Sequence, residues 1–271
     1  MITMIFADWD VPSMDEIELF ADCSVSGVIL GVSNSSTRPT LNYTKEKWID
    51  AARHIADCDM AVNYMAWAIP KVDAMMETMD ILVGLDDEQP ADALWLNAEK
   101  TWHNGSKDAV EQCTARLEEI SKNDMPALAV VGFDKPHPHV VTLSRACSVI
   151  CPEAYSFWKV GEDHWSHSFW TFPGVQQRRA FEAWKPALLD GGKKRELIMG
   201  LSIYDGARPP SGKYFPGCTG AQSRRWAISE TVAILKEYGE FGGVAYWSGK
   251  HVLKNEERQG FLRFVRELSW S

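Results

Sequence analysis

Short apolar runs rich in Val, Ile, Leu and Tyr alternate along this chain with longer segments in which apolar residues recur at helical spacing. A period near two that gives way to a period near 3.6, over and over, is the pattern of strands joined by helices around a parallel sheet. The short runs predict strands over 2–8, 27–32, 60–68, 93–99, 126–133, 148–155, 196–204 and 243–247. Helical spacing predicts a first helix opening at Ser13, with Glu16 three residues on to complete a capping box. A second helix carries Thr44, Glu46, Trp48 and Ile49, and further helices cover 72–85, 107–121, 176–188, 221–238 and 256–268. The segment Gln89-Pro90 breaks the pattern before the fourth strand.

Eight such units at 271 residues fit one α/β domain spanning 1–271, a (β/α)₈ barrel, which closes at roughly 250 residues. Two connections are long for ordinary β/α loops, 156–175 after the sixth strand and 205–220 after the seventh. The first is dense in aromatics, including Trp158, Trp165 and Trp170, and the second contains Arg208-Pro209-Pro210, a rigid turn. Both leave the C-terminal ends of strands, the face on which barrel enzymes carry their chemistry.

Composition narrows the function classes. A hydrophobic fraction of 45% and a charged fraction of 24% are those of an ordinary globular core. The net charge of -9 argues against nucleic acid, whose affinity comes from Lys and Arg releasing counterions. No stretch approaches the roughly 20 apolar residues that span a bilayer, so no membrane partner is expected. The N-terminus reads as a strand and not as a signal peptide, which predicts a cytoplasmic chain as synthesised, with any release to a cell wall by a separate route. A monomer acting on a polysaccharide is the expected state. Six cysteines without CxxC spacing read as reduced, buried residues. Twelve Trp are many for this length and suit both packing and the apolar faces of sugars.

Residues two apart on a strand share a face, so an acid that ends an apolar run on the interior parity points into the top of the barrel. Strand four offers Asn97 and Glu99 with Trp102 beyond. Strand one ends in Asp8-Trp9-Asp10, and strand six places Glu153 and Tyr155 on one parity. Strands seven and eight add Tyr204, Asp205, Tyr246 and Trp247 as candidates for stacking and hydrogen bonding. Acids gathered from several strands are what glycosidic cleavage needs, one protonated to serve the leaving oxygen and one ionised to attack or stabilise the sugar centre. Glu99, Asp8 and Glu153 are therefore the candidate catalytic residues, with a solvated loop Glu as the plain alternative for Glu99 and a helix N-terminal charge for Asp10. His137-Pro138-His139, His164 and His167 raise a metal-dependent hydrolase, but Pro136 and Pro138 place the first pair in a loop, so no metal is expected. No GxSxG elbow, GxGxxG or Walker A sequence occurs, and no cofactor is expected.

The acid closing strand one (Ala7-Asp8), the Asn97-Ala98-Glu99 end of strand four and the aromatic pair Tyr246-Trp247 together resemble the barrel lysozymes of glycoside hydrolase family 25 and related phage endolysins. That resemblance implies a bacteriolytic peptidoglycan hydrolase, muramidase-like, with Glu99 as general acid. The family pattern has Asp where Asn97 stands, which shifts the second-carboxylate role to Asp8, Asp10 or Glu153. The missing Asp also motivates a different class, a barrel that binds carbohydrate without cleaving it.

Overall fold

The computed structural model describes residues 2–122, 125–154, 174–192, 194–203, 220–239, 242–253 and 255–268. Its strands are β1 (Ile2–Phe6), β2 (Gly27–Ser33), β3 (Ala61–Trp67), β4 (Ala93–Asn97), β5 (Ala127–Phe133), β6 (Val149–Glu153), β7 (Glu196–Ser202) and β8 (Gly243–Trp247). Each pairs in parallel with the next, and β1 pairs with β8 through Met4 opposite Ala245, so the sheet closes as the expected (β/α)₈ barrel. Closure leaves no unpaired edge.

The helices are α1 (Met14–Asp22), α2 (Lys45–Asp57), α3 (Val72–Asp86), α4 (Lys100–His103), α5 (Lys107–Ile120), α6 (Pro138–Ser144), α7 (Val175–Leu188), α8 (Gly220–Tyr238) and α9 (Glu256–Leu268). The start of α1 is the capping box read from the sequence. The Glu16 amide donates to Ser13 Oγ at 3.3 Å, and the Ser13 amide donates to Glu16 Oε2 at 2.7 Å.

Alternation along the strands sorts the apolar residues into two cores. Met4, Phe6, Ile29, Met65, Trp95, Val131, Cys151, Ile198 and Trp247 fill the barrel, with Ala93, Ala129 and Ala245 among them. The intervening residues, such as Ile5, Val28, Tyr64, Leu94, Val130, Ile150 and Tyr246, face the helices. This division decides which strand-end side chains can reach the mouth.

Several segments differ from expectation. The prolines around His137 do not hold it in a loop: Pro138 opens α6, because a proline at the first helical position loses no hydrogen bond and arrives with a helical φ. His137 caps that helix, its Nδ1 accepting from the His139 amide at 3.2 Å. The fourth and sixth strands also stop short, at Asn97 and Glu153, and the single turn α4 begins directly after Glu99.

The end of the barrel away from these strand termini is built for stability. Arg195, buried just before β7, donates to the carbonyls of Ser144 and Cys147 at 3.0 and 3.1 Å and to that of Ala187 at 2.7 Å. These oxygens lie at the C-terminal ends of α6 and α7, where the helix dipole is negative, so backbone meets the buried charge. A cavity of about 670 Å³ opens beside it, bordered by Ala127, Ser148, Arg145 and Lys194. Arg145 is engaged by Glu111 and Glu118, and Arg195 by carbonyls, so the strongest cations there are already occupied.

Candidate active site

The mouth is assembled from inward-facing residues where the strands end. β4 contributes Asn97, 3% exposed, and the chain continues through Ala98 to Glu99. Asn97 Nδ2 donates to Glu99 Oε1 at 3.1 Å, which fixes the carboxylate over the strand it follows. The Glu99 carbonyl in turn accepts from the Trp102 amide at 3.0 Å and starts α4. Asn97 Oδ1 is buried and accepts from no described residue.

β6 contributes Glu153, 6% exposed, flanked in register by Phe133 of β5 and Gly200 of β7. Gly200 is needed for close approach. A Cβ there would lie 3.0 Å from the Pro152 carbonyl oxygen, 3.2 Å from Glu153 Cα and 3.2 Å from Trp247 Nε1. The indole of Trp247, from β8, therefore reaches across β7 to the end of β6, and its Nε1 is buried with no described partner. Its ring also packs on Phe6 at 4.3 Å between centroids.

Asp8 follows β1 with φ 67°, in the left-handed region that Asp tolerates better than most residues. Its Oδ2 accepts from the Ser248 hydroxyl at 2.6 Å, and its Oδ1 lies 3.5 Å from Lys250 Nζ. Strand order puts β4 and β6 on either side of β5, so Glu99 and Glu153 share one side of the mouth, their strands roughly 10 Å apart. Asp8 stands three strands from each, engaged by Ser248 and Lys250. The structure thus places the three candidate acids at or just beyond the C-terminal ends of their strands, two flanking β5 and one three strands from each.

Other candidates fall elsewhere. Asp10 is exposed and accepts from the Tyr43 hydroxyl at 2.8 Å, because β1 ends at Phe6 and strand alternation no longer sets its direction. Trp102 is not a mouth residue: it is fully buried in the helix-facing core and donates to the His139 carbonyl at 2.8 Å, because the α4 turn swings it off the strand direction. Tyr246 is also corrected. One residue off the parity of Trp247, it faces Phe261 of α9, and burial holds its hydroxyl proton tightly. Tyr155, Tyr204, Asp205 and the connections 156–173 and 205–219 lie outside the described residues.

Charge patterning pointed past several mouth groups. Trp9, between the two acids of Asp8-Trp9-Asp10, and Trp67 carry no charge, yet their rings meet at the mouth, 6.4 Å between centroids. His103 stacks face to face on His137 at 4.3 Å and edge-on against Phe133 at 5.4 Å. Burial, with help from His137 and His139, lowers the His103 pKa to about 4, and burial lowers that of His137 as well. Stacked rings turn their faces and not their nitrogens to one another. Among the described residues no group of three or more His, Cys, Asp or Glu is arranged to hold a metal ion.

Comparison with known proteins adds the breadth of the fold. No protein-family model matches the chain. No curated protein matches it in sequence. Among solved structures it is similar to a GH113 beta-1,4-mannanase at a TM-score of 0.65 and 10% identity, covering 98% of this chain and 97% of that one. It is similar to a chitinase from Chromobacterium violaceum at a TM-score of 0.64 and 11% identity, covering 97% and 98%. The spore cortex-lytic enzyme SleL of Bacillus cereus matches at a TM-score of 0.61 and 8% identity, covering 97% of this chain and 73% of that one. At such identities the likeness establishes the barrel.

Proposed function

We propose that this chain is a glycoside hydrolase acting on a polysaccharide, with the peptidoglycan glycan strand as substrate. What supports the reading is Glu153 on the barrel side at the end of β6 and Glu99 just beyond β4, held by the amide of the buried Asn97. In this reading Glu99 protonates the leaving oxygen and Glu153 acts as the second carboxylate, stabilising the sugar centre or activating water. Trp247, packed on Phe6, forms the floor near Glu153. Asp8, engaged by Ser248 and Lys250, shapes the opposite wall. That a mannanase, a chitinase and a cortex-lytic enzyme are built on the same barrel is compatible with this assignment.

The test is release of reducing ends from purified peptidoglycan. Glu99→Gln, folded as judged by circular dichroism, is expected to lose at least about a hundredfold in rate, the usual contribution of general acid catalysis. Wild-type rates in that variant would remove Glu99 from the chemistry. Retention of glycan by the wild-type protein with no cleavage over hours would instead assign a binding barrel.

A further inference from the structure

Two tryptophans on the far side of the mouth from Glu153 have no role in the acid chemistry, yet the chain holds them in place. Trp9 follows Asp8 and lies back over Gly31 of β2. A Cβ on Gly31 would lie 2.6 Å from Trp9 Cε3 and 2.6 Å from the Asp8 carbonyl oxygen, so only glycine admits the ring there. Asn42 Nδ2 pins the same spot, donating to the Trp9 and Gly31 carbonyls at 3.1 Å each. Trp67 ends β3 on the interior parity, its indole tilted 39° to that of Trp9. Both residues are half-buried, so each keeps part of its surface open to solvent.

The polar atoms beside them are unmatched. Trp67 Nε1 is buried and donates to no described residue, and Asn97 Oδ1, from the residue paired in register with Trp67, is buried and accepts from none. Native interiors seldom leave such atoms unpaired, and a bound ligand is one way to satisfy them. An indole N–H can only donate and an amide oxygen can only accept, whereas a sugar hydroxyl does both. A partly exposed indole pair with one donor and one acceptor on neighbouring strands fits the apolar face and hydroxyl edge of a pyranose ring.

We propose that Trp9 and Trp67 form a sugar-binding subsite on the β1–β3 side of the mouth, with Trp67 Nε1 and Asn97 Oδ1 holding one sugar unit and Gly31 setting the position of Trp9. The subsite rests on the glycan reading but not on cleavage, so binding tests it separately. Tri-N-acetylchitotriose and mannotriose, added to Glu99→Gln protein, are the probes, followed by tryptophan fluorescence and calorimetry. At least one trisaccharide should bind and perturb the emission. Trp9→Ala and Gly31→Ala should each weaken that binding by about tenfold, the loss of one ring contact. Trp67→Phe, which keeps a ring and removes the N–H, should weaken it by about threefold to tenfold. Trp226→Ala, on the exposed surface of α8, should leave it unchanged.

Binding that survives Trp9→Ala and Gly31→Ala in folded protein overturns the subsite, as does failure of both trisaccharides to bind. If the three variants lose binding while Glu99→Gln hydrolyses cell walls at the wild-type rate, the subsite stands and the catalytic assignment falls. The converse result, cleavage that depends on Glu99 with unchanged affinity in all three variants, removes the subsite alone.

Discussion

Replacing Asn97 by Asp exchanges a hydrogen-bond donor for a charge and leaves the shape of the side chain almost unchanged. Asn97 Nδ2 lies 3.1 Å from Glu99 Oε1 and the residue is 3% exposed, so the new carboxylate would face Glu99 with little water between. Two like charges about 4 Å apart repel by about 4 kcal/mol at an effective dielectric near 20. At about 1.4 kcal/mol per pKa unit that is a ceiling of about three units, and side-chain relaxation brings the expected rise to about one or two. The pair then shares a proton with an apparent pKa above that of an ordinary carboxylate. The sign for stability follows from linkage. The folded value lies above the unfolded value of about 4, so Asn97→Asp costs about 1.5–3 kcal/mol at pH 7. That deficit shrinks as the pH falls through the raised folded value and vanishes below the unfolded one. Urea unfolding of both proteins at pH 7, 5.5 and 4 measures it, and a difference that does not vary with pH would refute the Asn97–Glu99 contact.

Arg195→Met should lower stability by about 3–5 kcal/mol in urea, because the buried carbonyls of Ser144, Cys147 and Ala187 lose their donor. Activity measured well below the melting temperature should stay intact, and a loss under about 1 kcal/mol would show that the carbonyls find other partners. His103, its pKa lowered to about 4, contributes stability that is full above about pH 6.5 and drains away as the pH falls toward 4. Since the ring is partly exposed, the effect is about 1 kcal/mol after solvent screening, and His103→Phe should unfold in acid at a lower pH than wild type. An unchanged acid midpoint would argue against it. Tyr246→Phe removes a buried hydroxyl that has no described partner, so stability should stay within about 0.5 kcal/mol or rise, with activity unchanged. A drop in activity in that variant would return Tyr246 to the mouth.

The barrel was legible because its strands alternate cleanly and its helices carry local signals. Ser13 with Glu16 located the start of α1, and the apolar run Gly243–Trp247 is β8 without adjustment. The short pieces were not legible. Four residues of α4 have no period to read, and α6 hides behind Pro138, which the same rules take as a break or as a first helical residue. In the site, strand alternation read from the sequence put Asn97 and Glu153 on one face of their strands, and the structure has both buried on the barrel side. Tyr246, named with Trp247 as a strand-end aromatic, lies one position off the inward face, and Trp102 follows a helical turn and not a strand. The pairing of Trp9 with Trp67 was not legible because it depends on the missing Cβ of Gly31 and on the β3–β4 register, neither of which has a linear signature.

The mixture of sizes inside the barrel constrains how this chain can vary. Trp95 sits in register beside Ala129, and Trp247 follows Ala245 on the same inward face, so each large ring occupies room that a small neighbour leaves free. Interiors packed to crystal density tolerate neither added nor missing methylenes at one position alone. Bulk at Ala129 would have to be matched by a smaller group at Trp95. Descendants of this sequence are therefore expected to change these positions in pairs, trading volume across adjacent strands while the total stays constant.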